Sequence, residues 1–122
     1  MDHLVLIVDD DPHTLMLWNA VLKPSAVDVI QASDGAQALA ILETQTPTIM
    51  LLDMLMPYVS GQDVLNYVAK TPRLDDMYVV VISAHRQPDV SKMARANAVL
   101  LKPIRPVEIR DLLQQAMSSR SV

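Results

Sequence analysis

The chain of 122 residues contains no cysteine. That excludes disulfides and thiolate chemistry and suits a reducing compartment. It has only two glycines, Gly35 and Gly61, so the glycine-rich loops that cradle nucleotide phosphates cannot be built. No apolar run approaches the roughly 18 residues of a membrane span, and the opening Met1-Asp2-His3 lacks the basic head of a signal peptide. A soluble, cytoplasmic protein is the expectation. The net charge of −4 leaves no basic footprint, which argues against direct nucleic-acid binding.

What remains is a globular composition, 51% hydrophobic and 20% charged, of a size that folds as one domain over residues 1–122. The core is expected over about residues 3–118, with 119–122 as a tail or the start of a linker. The runs Leu4–Val8, Ile49–Leu52, Tyr78–Ile82 and Ala98–Leu101 are continuously apolar, as strands buried on both faces should be. Residues 27–32, Val-Asp-Val-Ile-Gln-Ala, are more mixed and suit an edge strand.

Helical spacing fills the gaps. Asp11 caps a first helix with Pro12 at its first position, and Pro24 stops it. A second helix starts near Asp34. A third is capped by Ser60, and a short fourth is marked by Val90, Met93 and Ala94. A fifth follows Pro106 with Ile109, Leu112, Leu113 and Ala116 on one face. Strand–helix alternation repeated five times predicts an α/β fold. The expected form is a flavodoxin-like, doubly wound, five-stranded parallel sheet in the order 2-1-3-4-5 with five helices.

The polar residues that end the strands carry the chemistry. Asp9-Asp10-Asp11 ends the first strand, Asp53 the third, Ser83 the fourth and Lys102 the fifth. In this topology ligands bind where the strand order reverses, between the first and third strands. Adjacent carboxylates repel by roughly 4 kcal/mol per pair at 4 Å and an effective dielectric near 20. A metal ion, a lysine or water must offset that repulsion. Clustered carboxylates suit Mg²⁺, a strand-end carboxylate can be a nucleophile, and a lysine and a hydroxyl suit phosphoryl oxygens. Taken singly, the aspartates could be a capping cluster, Lys102 a surface residue and Ser83 a helix cap.

In combination, "LIVDDDP", "LLDMLMP" followed by Gly61, "VVVISAH" and "LLKPI" resemble the receiver domain of two-component response regulators. The likeness covers roughly residues 3–118. It implies that Asp53 is the phosphoacceptor, charged by a histidine kinase, a phosphotransfer protein or a small phosphodonor. It implies that Asp9, Asp10 and Asp53 hold Mg²⁺ with the backbone carbonyl of Leu55. Ser83 would be the switch hydroxyl, Ala84 would offer its backbone N–H, and Lys102 would pair with a phosphoryl oxygen across a cis Lys102–Pro103 bond. Asp11 would remain a cap. A domain of this kind catalyses only its own phosphorylation and dephosphorylation.

Three positions depart from the family pattern. Val99 stands where most receivers carry a switch aromatic, and Leu55 and His85 occupy sites that tune hydrolysis of the acyl phosphate. His85 also reads as an exposed loop residue, Met54 and Met56 as gap-fillers, and Trp18 as a packing residue on the first helix. Two other functions stay open. One is an Mg²⁺-dependent aspartyl-phosphate phosphohydrolase, which Asp-Asp-Asp-Pro-His at residues 9–13 fits poorly. The other is a phosphate-independent interaction module. A homodimer through the fourth helix, fifth strand and fifth helix, and an output domain in a longer chain, are both compatible with the sequence.

Overall fold

The computed structural model describes residues 3–23, 27–54, 59–84 and 95–119. Five strands, β1 (Leu4–Val8), β2 (Asp28–Ala32), β3 (Ile49–Asp53), β4 (Tyr78–Ser83) and β5 (Ala98–Leu101), form one parallel sheet. Its order is β2-β1-β3-β4-β5, as expected from the alternation of strand and helix. Four helices are present among the described residues: α1 (Pro12–Leu22), α2 (Gly35–Thr44), α3 (Gly61–Ala69) and α4 (Pro106–Ser119). A short 3-10 turn over Pro72–Leu74 follows α3. Of the five helices expected, the short one around Val90, Met93 and Ala94 lies outside the described residues.

Strand side chains alternate across the sheet, so each strand feeds two cores. Leu6, Val8, Met50, Leu52, Val79 and Val81 pack beneath α2 and α3. Val5, Ile7, Ile49, Leu51, Val80 and Ile82 pack on the opposite face against Leu15, Trp18 and Leu22 of α1 and Ile109 and Leu113 of α4. Apolarity without alternation is the sequence mark of this double burial. Trp18 is a packing residue, as its place in the α1 stripe implied.

The helix starts follow their caps. The Asp11 carboxylate accepts from the His13 N–H at 3.0 Å, and that of Asp34 accepts from the Gln37 N–H at 2.8 Å. Ser60 and Asp63 form a reciprocal capping box at α3. At the opposite edge of the sheet, the Arg73 guanidinium donates to the carbonyls of Leu42 and Gln45 and so terminates α2. Arg95 donates to the carbonyls of Leu74 and Met77, both at 2.8 Å, and ties the 3-10 turn to the start of β5.

One expectation is corrected. β5 is not buried on both faces; Val99 and Leu101 are 40% and 44% exposed. Its position at the sheet edge leaves it with one neighbouring strand among the described residues. The last helix, α4, runs through Ser119, and residues 120–122 of the expected tail lie outside the described residues.

Burial separates the side chains that hold the fold from those that do not. Leu42→Ala removes a fully buried side chain and is expected to cost about 2–5 kcal/mol in urea unfolding. Met16→Ala, at a position 66% exposed, is expected to change stability by less than about 0.5 kcal/mol. Equal losses for the two variants would contradict the packing described.

Candidate functional site

Register determines which strand-end residues meet. Val8 of β1 lies opposite Leu52 of β3, and Asp53 lies opposite Ile82 of β4. The next residue after Val8 is therefore level with Asp53. Beyond the ladders, the Asp9 N–H donates to the Ala32 carbonyl at 3.1 Å and the Met54 N–H to the Ile82 carbonyl at 3.1 Å. The Lys102 N–H donates to the Ser83 carbonyl at 2.9 Å. These bonds tie the backbone at Asp9, Met54 and Lys102 to the neighbouring strand just beyond each ladder.

The result is a cluster of three carboxylates. One oxygen from each of Asp9, Asp10 and Asp53 lies within 4.8 Å of the others. Asp9 and Asp53 are buried and Asp10 is exposed. Lys102 Nζ stands 3.4 Å from Asp53 Oδ2, and its own side chain remains 40% exposed. Ser83 is buried at the end of β4, and Ala84 follows it at the surface. The peptide bond between Lys102 and Pro103 is cis, as the sequence led one to expect. Leu55, Met56 and His85 lie outside the described residues.

The three opening aspartates have different environments. Asp11 is a surface cap, held below the usual carboxylate range chiefly by the His13 backbone N–H. Asp9 is the opposite case. Its Oδ1 accepts from the Asp11 N–H at 2.9 Å, while its buried Oδ2 has no hydrogen-bond partner. Burial, reinforced by the charges of Asp53 and Asp10, pushes its pKa up to about 6 against the lowering pull of the Asp11 N–H and Lys102.

An orphaned carboxylate oxygen in an all-oxygen donor set fits a hard divalent cation, which would supply what Asp9 Oδ2 lacks. Beside the cluster a cleft of about 430 Å³ opens between α1 and the segment after β5. It is lined by Thr14, Leu17, Trp18, Lys102, Pro103 and Ile104.

Every described residue that the sequence singled out as a site residue, Asp9, Asp10, Asp53, Ser83, Ala84 and Lys102, ends a strand or lies within two residues of a strand end at this one side of the sheet. Sequence reasoning gave too little weight to the two glycines. Each is the first residue of a helix, and neither has a positive φ. A Cβ on Gly61 would fall 2.6 Å from the Met54 Cα and 2.7 Å from the Asp53 carbonyl oxygen. Their scarcity was the available signal: two glycines in 122 residues, each directly after a capping residue.

The raised pKa of Asp9 has a thermodynamic sign. The folded protein holds that proton more tightly than the unfolded chain, so the contribution of Asp9 to stability is greatest below pH 3.8 and falls away as pH rises through about 6. Without metal, wild-type stability is expected to drop by about 2–3 kcal/mol relative to Asp9→Asn across that interval. Urea titrations of both proteins in chelator at pH 4, 5, 6 and 7 check this. Parallel pH profiles would contradict it.

Comparison with known proteins agrees with this geometry. The family model described as "Response regulator receiver domain" matches residues 5–114. Sporulation initiation phosphotransferase F of Bacillus subtilis is 30% identical, the alignment covering 99% of this chain and 98% of that one. The DNA-binding response regulator MtrA of Mycolicibacterium smegmatis is 28% identical over 89% of this chain but only 48% of its own length. Among solved structures, the receiver domain of sensor histidine kinase PA1611 from Pseudomonas aeruginosa PAO1 superposes with a TM-score of 0.86 at 22% identity. That match covers 97% of this chain and 99% of the other, whose structure has a magnesium ion coordinated in its active site cleft. With a family model matching almost its whole length, the chain belongs to the response regulator receiver domain family.

Proposed function

We propose that the chain works as a phosphorylation-controlled signalling switch whose acceptor is Asp53. The observation that carries this reading is the environment of that carboxylate. It is 2% exposed, sits at the end of a central strand, is paired with Lys102, and shares its crevice with two further acids. No fold needs such a set for stability, because each added carboxylate raises the electrostatic cost. A phosphoryl-transfer site does need it, since that chemistry asks mainly for positioning and neutralisation of charge.

An oxygen of Asp53 would form the new O–P bond while the donor's P–N bond breaks. The departing imidazole keeps the electron pair and takes up a proton. The donor is then a phosphohistidine of a histidine kinase or phosphotransfer protein; with a small acyl phosphate the P–O bond breaks instead and a carboxylate leaves with the electron pair. Asp9, Asp10 and Asp53 would hold Mg²⁺, with the Leu55 carbonyl as a further ligand. The bound ion would supply charge neutralisation at the phosphoryl oxygens.

Lys102 is the cation placed to exchange its bond to Asp53 for one to a phosphoryl oxygen. Ser83 and the Ala84 N–H are the neutral donors at the end of the adjoining strand. Phosphorylation adds a charge of about −1.5 to −2 at this edge. The change would be read at the face carrying β5 and α4, where Val99 and Leu101 are already exposed. A homodimer through that face, an output domain in a longer chain and a cytoplasmic setting belong to the same proposal. No helix among the described residues is long and apolar enough to cross a membrane.

Incubation with acetyl phosphate, followed by intact-mass spectrometry, tests the acceptor. Wild-type protein is expected to gain one phosphoryl group only when Mg²⁺ is present, and Asp53→Ala to gain none. An undiminished gain in Asp53→Ala would contradict the assignment. So would sustained release of phosphate from many equivalents of a phosphate ester, which is hydrolase behaviour. If no adduct accumulates, beryllofluoride must bind the wild-type site in the presence of Mg²⁺, and its failure to bind would equally overturn the reading.

A further inference from the structure

We infer that Gly61 is a positioning residue for the Asp53 carboxylate, with Gly35 supporting it from one helix further away. The inference rests on the reading of Asp53 as acceptor in a metal-binding cluster, and it concerns two residues that touch neither phosphoryl group nor metal.

The backbone at Asp53–Met54 is held from two sides. On one side the ladder pairs Asp53 with Ile82, and the Met54 N–H donates to the Ile82 carbonyl at 3.1 Å. On the other side the first turn of α3 presses directly against it. A Cβ at Gly61 would meet Met54 Cα at 2.6 Å, the Asp53 carbonyl oxygen at 2.7 Å and Met54 Sδ at 2.9 Å. Two of these three atoms are backbone, so no side-chain rotation relieves the clash.

Retreat of the helix is also opposed. Val64, Leu65 and Val68 anchor α3 in the core with 0–1% exposure, and the Ser60–Asp63 capping box shapes its first turn. A side chain at position 61 therefore wedges the Asp53–Met54 peptide away from its place in the sheet.

The second glycine continues the same stack. A Cβ at Gly35, the first residue of α2, would collide with the Val59 carbonyl oxygen and come within 2.8 Å of Val59 Cγ1. Val59 immediately precedes the α3 cap. Contact thus runs from α2 to Val59, through Ser60 and Gly61, to Asp53. Both glycines lie at non-positive φ, so close approach and not turn geometry explains them. All the chain's glycine is spent on this one stack.

The consequence falls on a cluster with little tolerance. Magnesium demands near-ideal octahedral geometry at about 2.0–2.1 Å, and functional constellations tolerate displacements of only about 0.5 Å. Moving Asp53 by several tenths of an ångström alters its relation to Asp9, Asp10 and Lys102 together. A merely structural glycine would lower stability and leave the affinity of the folded protein for metal unchanged.

Calorimetric Mg²⁺ titration of folded protein, with thermal melts alongside, separates the two roles. The proteins compared are wild type, Gly61→Ala, Gly35→Ala and Leu113→Ala, the last a core truncation in α4 on the opposite face of the sheet. Gly61→Ala is expected to raise the Mg²⁺ Kd about tenfold or more, and Gly35→Ala to raise it less. Leu113→Ala should melt at lower temperature yet keep its Kd within about twofold of wild type. A Gly61→Ala protein that binds Mg²⁺ as wild type does overturns the inference and leaves the acceptor reading intact. If Gly61→Ala does not fold, Gly35→Ala carries the same comparison. Failure of both to fold would assign the glycines to the fold alone and also overturn it. Absence of Mg²⁺ binding by wild type would instead remove the acceptor reading and this inference with it.

Discussion

Three carboxylates brought within 4.8 Å of one another at the edge of an apolar sheet form the interaction on which the rest of the molecule turns. Their mutual repulsion and the burial of Asp9 and Asp53 both oppose folding. Lys102, 3.4 Å from Asp53, offsets only part of that cost. The residue of the cost is visible in Asp9, whose Oδ2 lacks a partner and whose pKa is pushed to about 6 by burial. A protein that carries such a defect is poised to gain stability from whatever cation fills it. The electrostatic strain and the capacity to bind are one property seen from two sides.

Strand packing, ladder ends and helix caps together hold that cluster in place. The strands are apolar on both faces because both faces are covered, and this leaves their carboxyl ends as the place where polar side chains can gather. Lys102 reaches the cluster because the Lys102 N–H still bonds to the Ser83 carbonyl at the end of the ladder. Caps at Asp11, Asp34 and Ser60 begin each of the first three helices immediately after its strand or loop. The arginine contacts lie at the other end of the sheet. Arg73 and Arg95 satisfy carbonyls there and contribute nothing to the crevice. The arginine-bonded carbonyls and the acidic crevice thus lie at opposite ends of the strands.

Much of this could be read from residues alone, for identifiable reasons. The uninterrupted apolar runs announced a doubly covered parallel sheet, and its order then brought Asp9, Asp53 and Lys102 together without reference to coordinates. Asp11 was legible as a cap because Pro12 follows it. What could not be read depends on the third dimension. The sequence "Asp-Asp-Asp" does not say that Asp9 is buried and Asp10 is not. Ala98–Leu101 reads as doubly buried from its apolarity alone, although its last place in the strand order already puts it at an edge; its pairing to a single neighbour among the described residues accounts for its half-exposure. The scarcity of the glycines marked them, but the backbone that each approaches becomes visible only once the segments are folded together.

The measurement that bears most directly on the central claim is the titration of the individual aspartate side chains. Carbon-detected NMR of the carboxyl groups, from pH 3 to pH 8 with and without Mg²⁺, resolves Asp9, Asp10, Asp53 and the cap Asp11. The account predicts that Asp9 titrates near pH 6 in metal-free protein, well above Asp11, and that Mg²⁺ drives its midpoint down as the ion takes up its unpartnered oxygen. An Asp9 midpoint in the ordinary carboxylate range, unmoved by Mg²⁺, would contradict it.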